Sequence, residues 1–340
     1  MKRLPKTICK LLFIIFLLTF CKQKNGSEIK RDAPQSLKTI AITLSKTAFI
    51  YPKKDSAQHI FYLNKYHTVK DLDTLKSKEL QKWELELTKT YNKKFAFKHA
   101  NKYFNVAYQC SDAQINQLIY FATIFFKDTY PLYFSDEPKN PFQIVYFADK
   151  SEFVKSTASE SYGFYQPRTK TLFTYINSGE GTLWHELVHA FVDTNIDHNI
   201  QQWFSEGLAS FYEMGAIGQN GFVEGYTNWR MPLLQQMLLR NDYLPLTDFL
   251  GEERMTEHNA YAKARFLFCY LWRYKKIIPF TKLYLYELSP KYKGKELTTK
   301  TIATLQKLLR KDIKAIEKEY KEWAKQYTQG QKLERVSNNF

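Results

Sequence analysis

The chain has 340 residues, a formal charge of +16 and an aromatic content of 16%. That aromatic load excludes a disordered chain, and four cysteines, two of them within the first 21 residues, exclude a disulfide-built scaffold. The surplus lysines are scattered, with no dense basic block interleaved with aromatics. This argues against a nucleic-acid partner and for a solvated basic surface near anionic envelope components.

Lys2, Arg3, Lys6 and Lys10 precede the apolar run Leu11 to Phe20, which is too short to span a bilayer. A secretory signal is expected over residues 1–20. Leu18-Thr19-Phe20-Cys21 resembles the lipobox of bacterial lipoproteins, although Phe20 stands where that motif has a small residue. The resemblance implies an exported protein of the bacterial cell envelope, anchored in a membrane through a lipidated Cys21. The polar residues 21–35 then read as a tether.

Thr39 to Ser45 alternates, with Ile40, Ile42 and Leu44 on one face, as a strand does. Asp71 to Tyr91 carries Leu72, Leu75, Leu80, Trp83 and Leu87 along one stripe, which predicts an amphipathic helix. Residues 36–100 contain no chemical motif. The patterning sharpens over residues 101–328, and a polar tail closes the chain at 329–340. Tyr103 to Cys110 reads as a strand. Ser111-Asp112-Ala113-Gln114 is a capping box that opens an apolar helix running to about Asp128. Phe142 to Phe147 predicts a second strand, and Ser161 to Ile176 a hairpin turning at Gln166-Pro167-Arg168-Thr169. Helices follow over Thr182 to Asp193, Gln202 to Met214 and Ala260 to Tyr274. A further, final amphipathic helix has Ile313, Ile316, Tyr320 and Trp323 at helical spacing. Of the two cysteines outside the signal region, Cys110 and Cys269, the second lies in an apolar helical run and reads as a buried free thiol.

His185-Glu186-Leu187-Val188-His189 has the form H-E-x-x-H. On a helix at about 100° per residue, His185 and His189 fall on one face about 40° apart. Trp184, Leu187 and Phe191 fall opposite, where a core would lie. Imidazoles one turn apart are what a single helix needs to give zinc two tetrahedral ligands. Glu206 follows His189 by 17 residues, far enough for a loop and a return on a second helix, and is the candidate third ligand. Asp193 and His198 compete for that role, and Ser205, Ser210 and Glu213 are candidates to orient ligands. Gly207 removes a side chain beside the ligand, so that the two helices can approach.

The two motifs, His185 to His189 and Trp203-Phe204-Ser205-Glu206-Gly207-Leu208-Ala209, resemble those of the gluzincin metallopeptidases, and most nearly the bacterial peptidase-MA-like group. The resemblance implies an α+β, zincin-like fold. A small, mostly antiparallel sheet would lie over an active-site helix, followed by a helical C-terminal lobe. Leu172 to Ile176 would edge the cleft and receive an extended peptide or protein substrate. The implied activity is peptide-bond hydrolysis with Zn2+ held by His185, His189 and Glu206, and with Glu186 as general base. A second donor to the developing oxyanion is sought at the start of the Ala260 helix. His258 and Tyr261 both qualify, and relatives favour the tyrosine. The competing expectations are a binding lipoprotein that keeps the fold and hydrolyses nothing, and a hydrolase acting on a non-peptide amide. Glu186 favours catalysis, because a purely structural metal site has no use for that base.

Overall fold

The computed structural model describes residues 59–62, 65–68, 78–91, 95–138, 140–217, 223–240, 242–252, 254–255 and 260–334. The expected signal segment, its cysteine, the tether and the strand at Thr39 to Ser45 lie outside these residues, as does His258. In chain order the elements are β1 (His59–Tyr62), β2 (Lys65–Thr68), α1 (Lys78–Tyr91), β3 (Ala96–Ala100) and β4 (Phe104–Tyr108). Next come α2 (Asp112–Tyr133), β5 (Phe142–Phe147), α3 (Lys150–Thr157), β6 (Gly163–Gln166) and β7 (Thr171–Tyr175). The two motif helices are α4 (Glu180–Asn195) and α5 (Gln202–Tyr212), followed by a small hairpin, β8 (Gly215–Ile217) and β9 (Val223–Gly225). Helices α6 (Met231–Arg240), α7 (Leu246–Phe249), α8 (Ala260–Arg273), α9 (Ile277–Leu283), α10 (Gly294–Leu309) and α11 (Ile313–Lys325) complete the chain. A π-helical turn, Tyr284–Leu288, extends α9. The fold is thus mixed α and β, with one five-stranded sheet and a mainly helical remainder.

The sheet runs in the order β3-β4-β5-β7-β6. Two of its pairings are antiparallel, β3 with β4 and β6 with β7. The other two, β4 with β5 and β5 with β7, are parallel. The expected mostly antiparallel sheet is therefore corrected to an evenly mixed one. The reason lies in the connections: α2 carries the chain back across the sheet between β4 and β5, and β6 runs back antiparallel before β7, so both of these pairings come out parallel. The expected cleft-edging strand is corrected too. β7 sits between β5 and β6, hydrogen-bonded on both sides, and β6 is the edge.

Period-two alternation sends neighbouring strand residues to opposite faces. Val106, Ile144 and Leu172 enter one core with α2, α4, α5 and the later helices. Ala107, Val145 and Phe173 enter a second, with Trp83 and Leu87 of α1 and Phe153 of α3. Helix α1 and strand β3 are thereby parts of the sheet layer, which runs across residue 100. The capping box is formed: Ser111 Oγ accepts from the Gln114 N–H at 3.4 Å, and Gln114 Oε1 accepts from the Ser111 N–H at 3.1 Å. Helix α2 runs past Asp128 to Tyr133, because Thr129, Tyr130 and Tyr133 still have core to bury against. Its Phe125 stacks on Trp184 and Phe191 of α4 at centroid distances of 5.2 and 5.9 Å. Full burial of such side chains contributes about 1.5–3 kcal/mol each. This seam holds the apolar side of α4 and leaves its histidine side turned away. Cys110 and Cys269 are both free.

Candidate metal centre

His185 and His189 stand one turn apart on α4, as the spacing predicts, with their Nε2 atoms 3.0 Å from each other. Helix α5 brings Glu206 over them. Its Oε2 lies 3.4 Å from His185 Nε2 and its Oε1 3.6 Å from His189 Nε2. One ligand atom from each of the three lies within 4.8 Å of the others. The far nitrogen of each ring is also engaged. His189 Nδ1 is 3.1 Å from Ser205 Oγ, and His185 Nδ1 is 2.9 Å from Glu213 Oε1, a close ion-pair contact without hydrogen-bond alignment. Polar oxygens beside both Nδ1 atoms favour the tautomer that leaves Nε2 to ligate in the gap between the rings. Two lone pairs and a carboxylate aimed at one point fit a cation, and a set of two imidazoles and one carboxylate suits zinc.

The ionisable groups of this cluster shift one another strongly. Burial opposes charge on His185, but contacts with Glu206 and Glu213 outweigh it and push the imidazole up to about 10. Burial and the charge on His185 together push His189 down to about 4. A metal held by both Nε2 atoms would displace the proton that His185 retains, because a ligating imidazole must be neutral. Burial also opposes ionisation of Glu213, yet contact with His185 and the charges of Arg230 and Arg265 bring it down to about 2. Glu206 is lowered in the same manner by the two histidines, against its burial.

Glu186 is buried beside the ligands, with 8% of its surface exposed. Burial pushes its carboxyl up to about 7, helped by the nearby Glu206 and opposed by His185 and by a hydrogen bond from the Tyr165 backbone N–H. Tyr165 lies on β6, so the edge strand itself borders the candidate base. Tyr261 opens α8 half in solvent, and its hydroxyl accepts from Gln202 Nε2 at 3.3 Å. Burial and the charge of Glu206 raise its phenol, which places it within electrostatic reach of the ligand set.

The competing ligands fall elsewhere. Asp193 accepts from the Tyr165 hydroxyl at 2.7 Å. His198 Nε2 meets Ser289 Oγ at 2.7 Å, and Ser289 is fully buried at the end of the π-helical turn. Ser210 bonds back to the Glu206 carbonyl within its own helix. The role expected for Gly207 is also corrected. A Cβ there would meet Phe268 at 2.6 Å and the Ala264 carbonyl at 2.9 Å, so it is α8 that approaches α5 at this point. The close approach between α4 and α5 is at Gly181, where a Cβ would lie 2.0 Å from the Glu213 carbonyl oxygen.

Sequence reasoning missed the groups that hold this arrangement. Arg230 Nη1 pairs with Glu213 Oε2, and Asn228 Nδ2 donates to the same oxygen at 3.1 Å. Arg265, with no exposed surface, donates to the Tyr226 carbonyl at 2.6 Å and adds its charge beside Glu213. A charged residue inside the apolar run of α8 was the available signal for it. Gln201 anchors the entry to α5. It accepts from Trp203 Nε1 at 3.2 Å and from the Tyr284 hydroxyl at 3.0 Å, and donates to the Leu250 carbonyl at 3.2 Å. No protein-family model matches the chain, and no curated protein is similar enough in sequence to count as a relative.

Proposed function

We propose that the protein is a zinc-dependent hydrolase of the gluzincin kind that cleaves peptide bonds in exported surroundings. The observation that carries the reading is the convergence of His185 Nε2, His189 Nε2 and the Glu206 carboxylate, with each imidazole held from behind, beside a buried Glu186. His185, His189 and Glu206 would hold the metal. When bound, the metal supplies Lewis acidity toward a carbonyl oxygen and eases the deprotonation of water. The Glu186 carboxylate accepts the proton from the attacking water and returns it to the departing amine nitrogen. Glu213 and Ser205 keep the imidazoles in the ligating tautomer. Tyr261 donates its hydroxyl proton toward the oxygen of the tetrahedral adduct. A structural metal site would need no Glu186 and would favour cysteine ligands, which this group lacks.

The test is metal content together with turnover. The purified protein is expected to bind about one zinc per chain and to cleave members of a mixed peptide library. Glu186→Gln should keep the metal and lower turnover by about 10²–10⁴-fold. A wild-type chain that takes up no zinc, or a Glu186→Gln chain with full turnover, would refute the reading. Zinc uptake without cleavage of any peptide or simple amide would favour a binding role.

A further inference from the structure

Helix α11 carries a second feature, independent of the metal group. Its Ile316, Tyr320, Trp323 and Ala324 are buried in the core. Its other side faces a groove of about 410 Å³, lined by Leu238 and Tyr243 together with Lys314, Lys318, Lys321 and Lys325. These lysines recur over about three turns, or roughly 16 Å of helix. Two glutamates share the groove, and both are engaged. Glu317 pairs with Lys321 at 2.7 Å and accepts from the Leu246 N–H at 3.3 Å, and Glu322 pairs with Lys325 at 2.9 Å. Contact with Lys325 holds Glu322 below the usual carboxylate range, with a further contribution from Lys318. Among the described residues, no carboxylate forms an ion pair with Lys314 or Lys318, and both are exposed.

The surroundings select among anionic partners. Tyr243 is the aromatic residue lining the groove, and its ring is occupied by the ammonium groups of Lys263 at 3.9 Å and Lys321 at 4.3 Å. It therefore offers no free platform on which a nucleic-acid base could stack. Next to Leu238 on α6, Leu239 is 82% exposed, and Arg240 follows it. Two exposed lysines one turn apart without ion pairs, Lys314 and Lys318, together with the solvent-exposed Leu239, combine charge with an apolar foothold, as helices lying on lipid interfaces do.

We propose that the α6–α11 face docks on an anionic lipid surface. Lys314 and Lys318 bind headgroup phosphates, and Leu239 enters the acyl boundary. The test is sedimentation of the full chain with vesicles of phosphatidylcholine alone or mixed with phosphatidylglycerol. The apolar run Leu11 to Phe20 can enter both, so the ratio of the two affinities reads the headgroup charge. The chain should prefer the anionic vesicles. The pair Lys314→Gln and Lys318→Gln should cut that preference about 25-fold, at about fivefold per lysine. Leu239→Ser should weaken binding to the anionic vesicles. The pair Lys295→Gln and Lys300→Gln on α10 makes the same change in net charge and should alter the preference by less than about threefold. An equal loss in the α10 pair would reduce the effect to net charge and overturn the proposal. So would equal affinity for both vesicles, or displacement from them by dissolved glycerol phosphate or an oligonucleotide at concentrations comparable to the lipid phosphate.

Discussion

Gly181→Ala tests the architecture behind the metal group. Gly181 lies in the first turn of α4, one turn ahead of His185, and its φ is not in the left-handed region, so alanine is not strained there in itself. Helix propensity alone would favour the substitution by about 0.5–1 kcal/mol. The obstacle is the neighbour: the new Cβ would lie 2.0 Å from the Glu213 carbonyl oxygen and 2.9 Å from its carbonyl carbon. Ordinary carbon–oxygen contact begins near about 3.3 Å, so the two backbones must part by about 1 Å or more. Glu213 Oε1 now sits 2.9 Å from His185 Nδ1. A shift of about 1 Å away from α4 carries it past hydrogen-bonding reach. Overpacking costs about 1–3 kcal/mol, and the helix gain returns less than that. The net destabilisation is about 1–2 kcal/mol, a fall in melting temperature of roughly 2–4 °C for a domain of this size. Loss of the partner behind His185 should also weaken zinc binding by about 10–100-fold. Thermal unfolding of the metal-free chain and a zinc titration against a competing chelator measure the two effects. A Gly181→Ala chain as stable as the parent, with equal zinc affinity, would refute the close approach and the coupling drawn from it. Gly207→Ala offers a comparison. Its nearest obstacle is the Phe268 ring, which can turn more readily than a backbone can shift.

Glu213→Gln removes the charge shared by His185, Arg230 and Arg265. It should lower zinc affinity about 10–100-fold and, by leaving two buried guanidinium groups without their anion, cost about 3 kcal/mol of stability. Unchanged zinc binding in a titration would remove Glu213 from the support of the site. Asp128 makes a separate prediction. Burial pushes its carboxyl up to about 6 from an ordinary value of 3.8, with Lys127 opposing. The native state therefore holds this proton more tightly than the unfolded chain does, and stability falls as the pH rises from about 4 to about 6. Asp128→Asn should match the parent near pH 4 and exceed it by about 2 kcal/mol near pH 7 in denaturant melts, and a gap that does not grow with pH would refute this.

What was legible in the chain was local. The Ser111–Gln114 capping box, the strand at Phe142–Phe147, and the opposed faces of His185 and Leu187 each depend on residues within two turns of one another. Strand partners were less legible. The run Thr171 to Tyr175 is buried at every position, but nothing in its sequence states that β5 lies on one side and β6 on the other. Gly207 gives the same lesson in a helix. A missing side chain announces a close neighbour without naming it, and the neighbour proved to be α8.

The groups behind the ligands were illegible for a different reason. Glu213 and Arg230 are separated by the β8–β9 hairpin, so no helical or strand period links them. One signal was nevertheless present. Lys263 and Arg265 interrupt an apolar helix, and both have no exposed surface. A buried charge is too costly to stand alone, so each demands an oxygen or an aromatic face from elsewhere in the fold. Lys263 meets the Leu244 carbonyl and the rings of Tyr243 and Phe249. Arg265 meets the Tyr226 carbonyl and the field of Glu213. Charges misplaced by the apolar pattern therefore mark where α8 must receive chain from other elements. At Arg265 the segment received is the one that carries Asn228 and Arg230 to Glu213, and through Glu213 to His185.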